Sequence, residues 1–335
     1  MRGTGRNSDR RILIGRLLSL AFVGAFAISV APAGAEEYPN RPIRLLHGFA
    51  AGGAADTLSR ILSSGLSKRL GQPIVIEAKP GVGGNLAATA IAKAEPDGYT
   101  IGLVTGAHAI SGALYKSLGY DSVDSFEMIS TVVYYALVIA VRSDFEAKSL
   151  KELIALAKAK PGGLSFGSVG FGSTHHLAGE LLNTAAGIQM VHIPYRGDSQ
   201  TVTALLGGDI PVIVGTPVLL APQIESGTIR GLAVTSLIRT PVLPNVPSVD
   251  EAGVKGFDVQ TWAGLLAPKG TPPAIIKRLG TAVRETLAEA ETRAALEAAT
   301  GGEVQASTPE EMRALIQSQI AKWADVINTS NIPRL

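Results

Sequence analysis

Two glycine-rich stretches carry the residues best suited to hold a small molecule. Phe49-Ala50-Ala51-Gly52-Gly53-Ala54-Ala55-Asp56 follows a β-rich run and precedes a helical one. Val169-Gly170-Phe171-Gly172-Ser173-Thr174-His175 repeats that context in the second half of the chain. In an open α/β sheet this position lies at the carboxyl ends of the strands, where ligands bind. Glycine lets the main chain come close to a ligand. The first N–H groups of the following helix lack partners within it, and the helix dipole is positive there. Each stretch therefore has the makings of an anion cradle. With one cradle in each half, the pair could hold the two ends of a dicarboxylate, and Ser173 and Thr174 add hydroxyl donors.

Other reactive residue types fit chemistry less well. Asp56 has two readings: an acid in the first turn of a helix, where the dipole favours it, or a group that orients water or accepts a proton donor from a ligand. His175 and His176 are adjacent, so they point apart and do not form a helical metal pair. His108 follows a strand and could face a cleft or be structural. Trp262 reads as core. Gly163-Leu164-Ser165-Phe166-Gly167 formally matches a nucleophile elbow, but that motif needs its serine on a sharp strand-to-helix turn, and Ser165 falls inside an expected strand. The phosphate-loop motif is absent. Gly81-Val82-Gly83-Gly84-Asn85-Leu86 lacks the third glycine of the dinucleotide fingerprint. There is no H-E-x-x-H, and five histidines without cysteine make a poor zinc set. No cofactor or metal is expected.

The elements that must position these loops alternate between short β-rich runs and helical stretches, the mark of α/β architecture. Strands are expected at residues 43–47, 74–77, 100–104, 164–168, 190–193, 210–214 and 229–235. Helices are expected at 56–70, from the 79–84 loop to Ala94, and at 150–158, 175–186 and 199–206. Val132 to Val141 is long, apolar and β-branched, and contains a strand crossing between lobes; Val259 to Leu266 is the return crossing. The proline-rich stretch 243–248 reads as a surface connection. The tail is helical; in it Thr308-Pro309-Glu310-Glu311 is a capping box with proline at the first helical position, and starts a helix bearing Met312, Leu315, Ile316, Trp323 and Val326. A chain that leaves one lobe, builds another and returns gives a discontinuous first lobe (36–138 and 259–335) around a second (139–258).

The amino terminus reads as an address. Arg2, Arg6, Arg10, Arg11 and Arg16 precede an uncharged apolar run from Leu17 to Val30, and Ala33-Gly34-Ala35 offers a cleavage site, so residues 1–35 form a signal peptide. The run is shorter than the ~20 residues a spanning helix needs. Arg10-Arg11 permits twin-arginine export, although the general secretory route is the expectation. The whole chain has 30 basic and 28 acidic residues; without the leader, 25 and 27 remain, a net charge of −2. No polybasic segment points to nucleic acid or a membrane surface. The absence of cysteine excludes disulfides and thiolate chemistry. About 300 residues after the leader suggest two domains.

Taken in order, the loop motifs resemble a known family, the substrate-binding receptors of tripartite tricarboxylate transporters, also called Bug-type receptors. The markers are Phe49-Ala50-Ala51-Gly52-Gly53 with Asp56, Lys79-Pro80-Gly81-Val82-Gly83-Gly84-Asn85, Pro96-Asp97-Gly98-Tyr99-Thr100, Gly172-Ser173-Thr174-His175-His176-Leu177-Ala178-Gly179-Glu180, Pro194-Tyr195-Arg196-Gly197 and Leu205-Leu206-Gly207-Gly208-Asp209. Leu232-Ala233-Val234-Thr235 and Val246-Pro247-Ser248-Val249-Asp250-Glu251-Ala252-Gly253 complete them. The resemblance implies a two-lobed Venus-flytrap fold of the type II periplasmic binding protein kind, with two open α/β sheets joined by crossing strands. It implies a monomeric periplasmic receptor that takes a small carboxylate-bearing ligand to membrane transporter subunits. Ligand contacts are then expected from Phe49, Ala51, Gly52, Gly53 and Asp56 in the first lobe and from Gly172, Ser173, Thr174 and Tyr195 in the second. Asn85, Thr105 and His108 join them at neighbouring strand ends. One departure stands out: where such receptors commonly carry valine-proline before the loop phenylalanine, this chain has His47-Gly48. Two competing classes remain, a ligand sensor without transport and a serine hydrolase using Ser165 or Ser173.

Overall fold

The computed structural model describes residues 38–330 and 332–335. The signal peptide expected over residues 1–35 lies outside them. The chain from Pro39 onward forms one compact unit built on two sheets.

The first sheet takes β1 (Ile43–His47), β2 (Ile74–Ala78), β3 (Thr100–Thr105), β4 (Phe126–Ala136), β10 (Gln260–Pro268) and β11 (Glu303–Val304), in the order β11-β4-β10-β3-β1-β2. β1 pairs in parallel with β2 and β3, whereas β10 runs antiparallel to β3 and β4. The second sheet has the order β7-β6-β8-β5-β9, from β5 (Val138–Arg142), β6 (Leu164–Ser168), β7 (Met190–Pro194), β8 (Val212–Gly215) and β9 (Ile229–Val234). Here β6 pairs in parallel with β7 and β8, and β5 is antiparallel to β8 and β9. Strands covered on both faces must be apolar throughout. Accordingly Val138-Ile139-Ala140-Val141 is buried along its whole length.

Helices pack on both sheets. α1 (Ala54–Leu70), α2 (Asn85–Ala92) and α3 (Ala107–Leu114) follow the parallel strands of the first lobe. α4 (Leu150–Ala159), α5 (Thr174–Ala186), α6 (Asp198–Gly207) and α7 (Pro217–Glu225) belong to the second. α8 (Pro273–Ala288), α9 (Ala290–Thr300) and α10 (Pro309–Thr329) return to the first. The capping box forms as read: Glu311 N–H donates to Thr308 Oγ1 at 3.1 Å, and Thr308 N–H donates to the Glu311 carboxylate at 2.8 Å. Trp262 lies in the core with Phe126, Met312 and Ile316.

The chain changes sheets between β4 and β5 through one buried residue, Leu137. Thr235, just past β9, clasps this crossing to the return path. Its N–H donates to Leu137 O at 2.9 Å, its Oγ1 accepts from Leu137 N–H at 2.8 Å, and the hydroxyl donates to Val259 O at 2.6 Å. Both lobe connections therefore pass through one hydrogen-bonded node, the geometry of a hinge.

Several elements differ from the sequence reading: β4 begins at Phe126, before the expected run, and β11 stands where no strand is expected. α3 and α7 are present where no helix is expected. The 243–248 stretch is a surface connection only in part: Pro244 and Asn245 are exposed, while Leu243 and Val246 enter the second-lobe core and Ser248 bridges to β9.

Candidate functional site

In the first lobe β1 runs through Gly48 into the 49–53 loop and α1. A Cβ on Gly48 would overlap Gly84, so the two glycine loops of this lobe pack backbone against backbone. Asp56 faces back into its own loop. Its Oδ2 accepts from Gly52 N–H and from Arg60 Nε, both at 3.0 Å, and its Oδ1 lies 3.5 Å from His47 Nε2. Burial alone would raise this carboxyl, but the Arg60, Gly52 and His47 contacts outweigh it and hold it below the usual range. His47 is fully buried, which lowers its pKa despite Asp56. The His47-Gly48 departure thus supplies a buried ring behind the loop and a glycine that permits the close approach.

The second-lobe loop is braced by its own side chains. Ser173 caps α5, accepting from His176 N–H at 3.2 Å, while its hydroxyl donates to Gly170 O at 2.6 Å. Gly170 (φ 120°) and Gly172 (φ 75°) occupy left-handed backbone that a side chain would strain. Ser168 Oγ accepts from Gly170 N–H and lies 2.6 Å from His192 Nε2. The rings of His176 and His192 stack at 4.1 Å, and Gly172 N–H donates to His176 Nδ1 at 3.3 Å.

The lobes are closed on one another. Ala50 N–H donates to Arg196 O at 3.1 Å, Ala54 N–H to Asp198 Oδ2 at 3.1 Å, and Ser199 Oγ to Ala51 O at 3.4 Å. Between them lies a small cleft with about 320 Å³ of non-protein space, part of it open to solvent. Its wall includes Ala54 and Ala55 at the start of α1, Ala107 of α3, Thr174 and His175 of α5, Asp198 of α6, and Thr216, the N-cap of α7. Five helix N-termini therefore converge on one small space, an arrangement suited to negative charge. Among the described residues, the Thr174 and His175 N–H groups have no hydrogen-bond partner in the protein. Phe49, Tyr135 and Val169 supply apolar surface, and Thr105 and Thr261 supply hydroxyls.

The expected site residues divide into four groups. Phe49, Thr105, Ser173 and Thr174 line the cavity, with the Ser173 hydroxyl already engaged and Thr174 Oγ1 at 3.1 Å from Thr261 Oγ1. Gly53 backs the wall as the N-cap of α1, Ala51 and Gly52 form its exposed rim, and Asp56 braces the loop from behind. Asn85 and His108 line a neighbouring space of about 280 Å³ that shares Phe49 and Thr105. There Asn85 Oδ1 accepts from Tyr120 OH at 2.6 Å, and His108 Nε2 pairs with Ser122 O at 2.8 Å. Gly172 packs near Tyr115, and Tyr195 packs against Gly167 and the second-lobe core. Sequence reasoning missed Tyr135, Asp198, Thr216 and Thr261. Asp198 and Thr216 each stand between a strand and a helix, a position that could have marked them.

Residues 58–332 match the family described as the tripartite tricarboxylate transporter family receptor. The chain belongs to this family of receptors. The solved structure of the periplasmic binding protein BugD superposes on the receptor with a TM-score of 0.86 at 35% identity, covering 89% of this chain and 100% of BugD. Rpa4515 of R. palustris, solved with adipate, gives 0.85 at 33% identity, covering 89% and 100%. MatC of Rhodopseudomonas palustris, solved with bound malate, gives 0.82 at 32%, covering 87% and 100%. The two-lobed periplasmic-binding-protein fold of the receptor follows from these likenesses.

The buried histidines give the receptor a pH-dependent stability. Burial lowers His108 to about 4 and His176 to about 4; burial and the neighbouring His176 lower His192 to about 3. In the unfolded chain each titrates near ~6.5. Between those values the unfolded state binds more protons, so stability is complete above the upper value and falls as the pH drops. Each histidine contributes up to about 1.4 kcal/mol per pH unit in that window. The urea midpoint is expected to fall from pH 6.5 to 5, and His108→Gln to flatten the slope; a level midpoint over that range would contradict this reading.

Proposed function

We propose that the protein is a periplasmic receptor that captures a small carboxylate-bearing molecule between its lobes and passes it to the membrane subunits of a tripartite tricarboxylate transporter. The observation that carries this reading is the convergence of five helix starts on one interlobe cavity, with the Thr174 and His175 amides free to donate. Family membership and the adipate and malate held by two relatives support it. Capture is reversible binding without bond chemistry, and a single chain with its two lobes suffices for it. Ser165 lies within β6, the Ser173 hydroxyl is held by Gly170 O, and the Ser168–His192 pair has its serine fully buried outside the cavity. None of these serines is placed as an exposed nucleophile.

The lobes close because a ligand touches both, and it shifts the balance only through its stronger affinity for the closed form. The test is calorimetry and thermal unfolding with small acids and their methyl esters. Acids at about 100-fold over Kd should add about 2.7 kcal/mol of stability, and the esters should add none. Equal effects from acid and ester, or ester turnover lost on replacing Ser173, would refute the reading.

A further inference from the structure

The cavity contains a negative charge of its own. Asp198 sits in the first turn of α6, buried, and reaches across the lobe boundary. Its Oδ2 accepts from Ala54 N–H, the first amide of α1, at 3.1 Å, and a Cβ on Gly53 would stand 3.0 Å from the same oxygen. The carboxylate therefore occupies the mouth of the first-lobe cradle. The picture of a dicarboxylate gripped at both ends does not fit this arrangement: an acid at each cradle would set the second one against Asp198.

Asp198 is also short of partners. Its other contacts are long, Thr216 Oγ1 at 3.4 Å and His175 Nε2 at 3.5 Å from Oδ1. Charge-assisted bonds to a carboxylate run at about 2.7–2.9 Å, and an ionised carboxylate has roughly four acceptor sites. His175, also deeply buried, has no hydrogen bond at either ring nitrogen. A buried carboxylate left so incompletely paired costs free energy unless a donor or cation meets it. Besides His175 and the main-chain amides, the side chains of the wall around it offer only hydroxyls and apolar surface.

Resting on the receptor reading above, we propose that the ligand is a small amino acid, held by its carboxylate at the start of α5 and by its ammonium group at Asp198. One pole of the cavity offers the unpaired Thr174 and His175 amides, and the other offers the under-bonded acid. A zwitterion matches both poles, whereas a dicarboxylate matches one and is repelled at the other.

Calorimetry on the protein purified from the periplasm tests this with matched pairs differing in the amino group: alanine and propionate, aspartate and succinate, glutamate and glutarate. At least one amino acid is expected to bind about tenfold or more tighter than its deaminated partner, a difference of about 1.4 kcal/mol. Asp198→Asn keeps an oxygen for Ala54 N–H and removes the charge; it should reduce that ratio by about tenfold or more and strengthen dicarboxylate binding. A wild-type protein that binds the plain acids as tightly as the amino acids overturns the proposal, whether or not the variant folds. So does a folded Asp198→Asn protein with an unchanged ratio. Binding of plain acids alone sinks this proposal and leaves the receptor reading standing; no binding by any acid, aminated or not, sinks both.

Discussion

Replacing Gly197 with valine is expected to cost the receptor about a hundredfold in ligand affinity, close to 2.7 kcal/mol. Gly197 has extended backbone (φ 173°, ψ 172°), which a side chain adopts without strain in its own lobe. Its position matters only when the lobes meet. A Cβ there would stand 2.9 Å from Ala50 Cβ and 3.0 Å from Ala50 N in the other lobe, beside the Ala50 N–H to Arg196 O bond. The branched side chain of valine makes this overlap worse and wedges the lobes apart. Apparent affinity scales with the fraction of molecules able to close, so a hundredfold loss corresponds to closure reduced to about 1% of its former population. Calorimetry reads the affinity, and small-angle scattering reads the wider separation of the lobes. Stability without ligand should change by less than about 1 kcal/mol, since no core contact within a lobe is touched. Unchanged affinity in a folded variant would mean that closure at this contact is not required.

Phe166→Ala acts on the opposite side of the problem, the seat of the second-lobe loop. Phe166 lies in the middle of β6, fully buried, with its ring pressed against Gly179 of α5 so closely that a Cβ on that glycine would overlap it. The ring also lies 5.1 Å from that of His192. Truncation removes the ring and leaves a space that neither the strand nor the helix can fill, at an expected cost of about 3–5 kcal/mol. Because β6 and α5 flank the 169–173 loop, the same change should weaken ligand binding in the molecules that remain folded. Urea denaturation measures the stability loss, and a value below about 1 kcal/mol would show that the core repacks around the space.

Much of this architecture is legible in the sequence because it depends on local signals. The strands at Ile43, Leu164 and Ile229 are short apolar runs bounded by turn residues. The α10 start is written in Thr308, Pro309 and Glu311, whose side chains act on amides within three residues. The two glycine loops mark the carboxyl ends of β1 and β6. α3 escapes because seven of its eight residues are buried, so no polar face sets a helical period, and Gly112 lowers its propensity. α7 escapes because it begins at Pro217 and contains Pro222, which reads as loop.

The site itself is only half legible. Phe49, Ser173 and Thr174 sit in the loops that periodicity and glycine content reveal. Asp198 is 144 residues from Ala54, and Thr261 is 87 from Thr174; only lobe closure brings each pair together. Ser173 shows a further limit. Its type and place suit a ligand donor, yet its hydroxyl serves the cap of α5 and Gly170 O, a choice set by loop geometry that residue identity does not encode.

The central claim is that free main-chain amides at the start of α5 hold the ligand carboxylate inside the interlobe cavity. The most direct measurement is a crystal structure of the protein grown with the tightest-binding acid of the calorimetry panel. A carboxylate oxygen is expected within about 3 Å of the Thr174 or His175 nitrogen, with the rest of the molecule directed toward Asp198. A carboxylate bound in the space beside Asn85 and His108, or anywhere outside the wall formed by Ala54, Thr174 and Asp198, would contradict it.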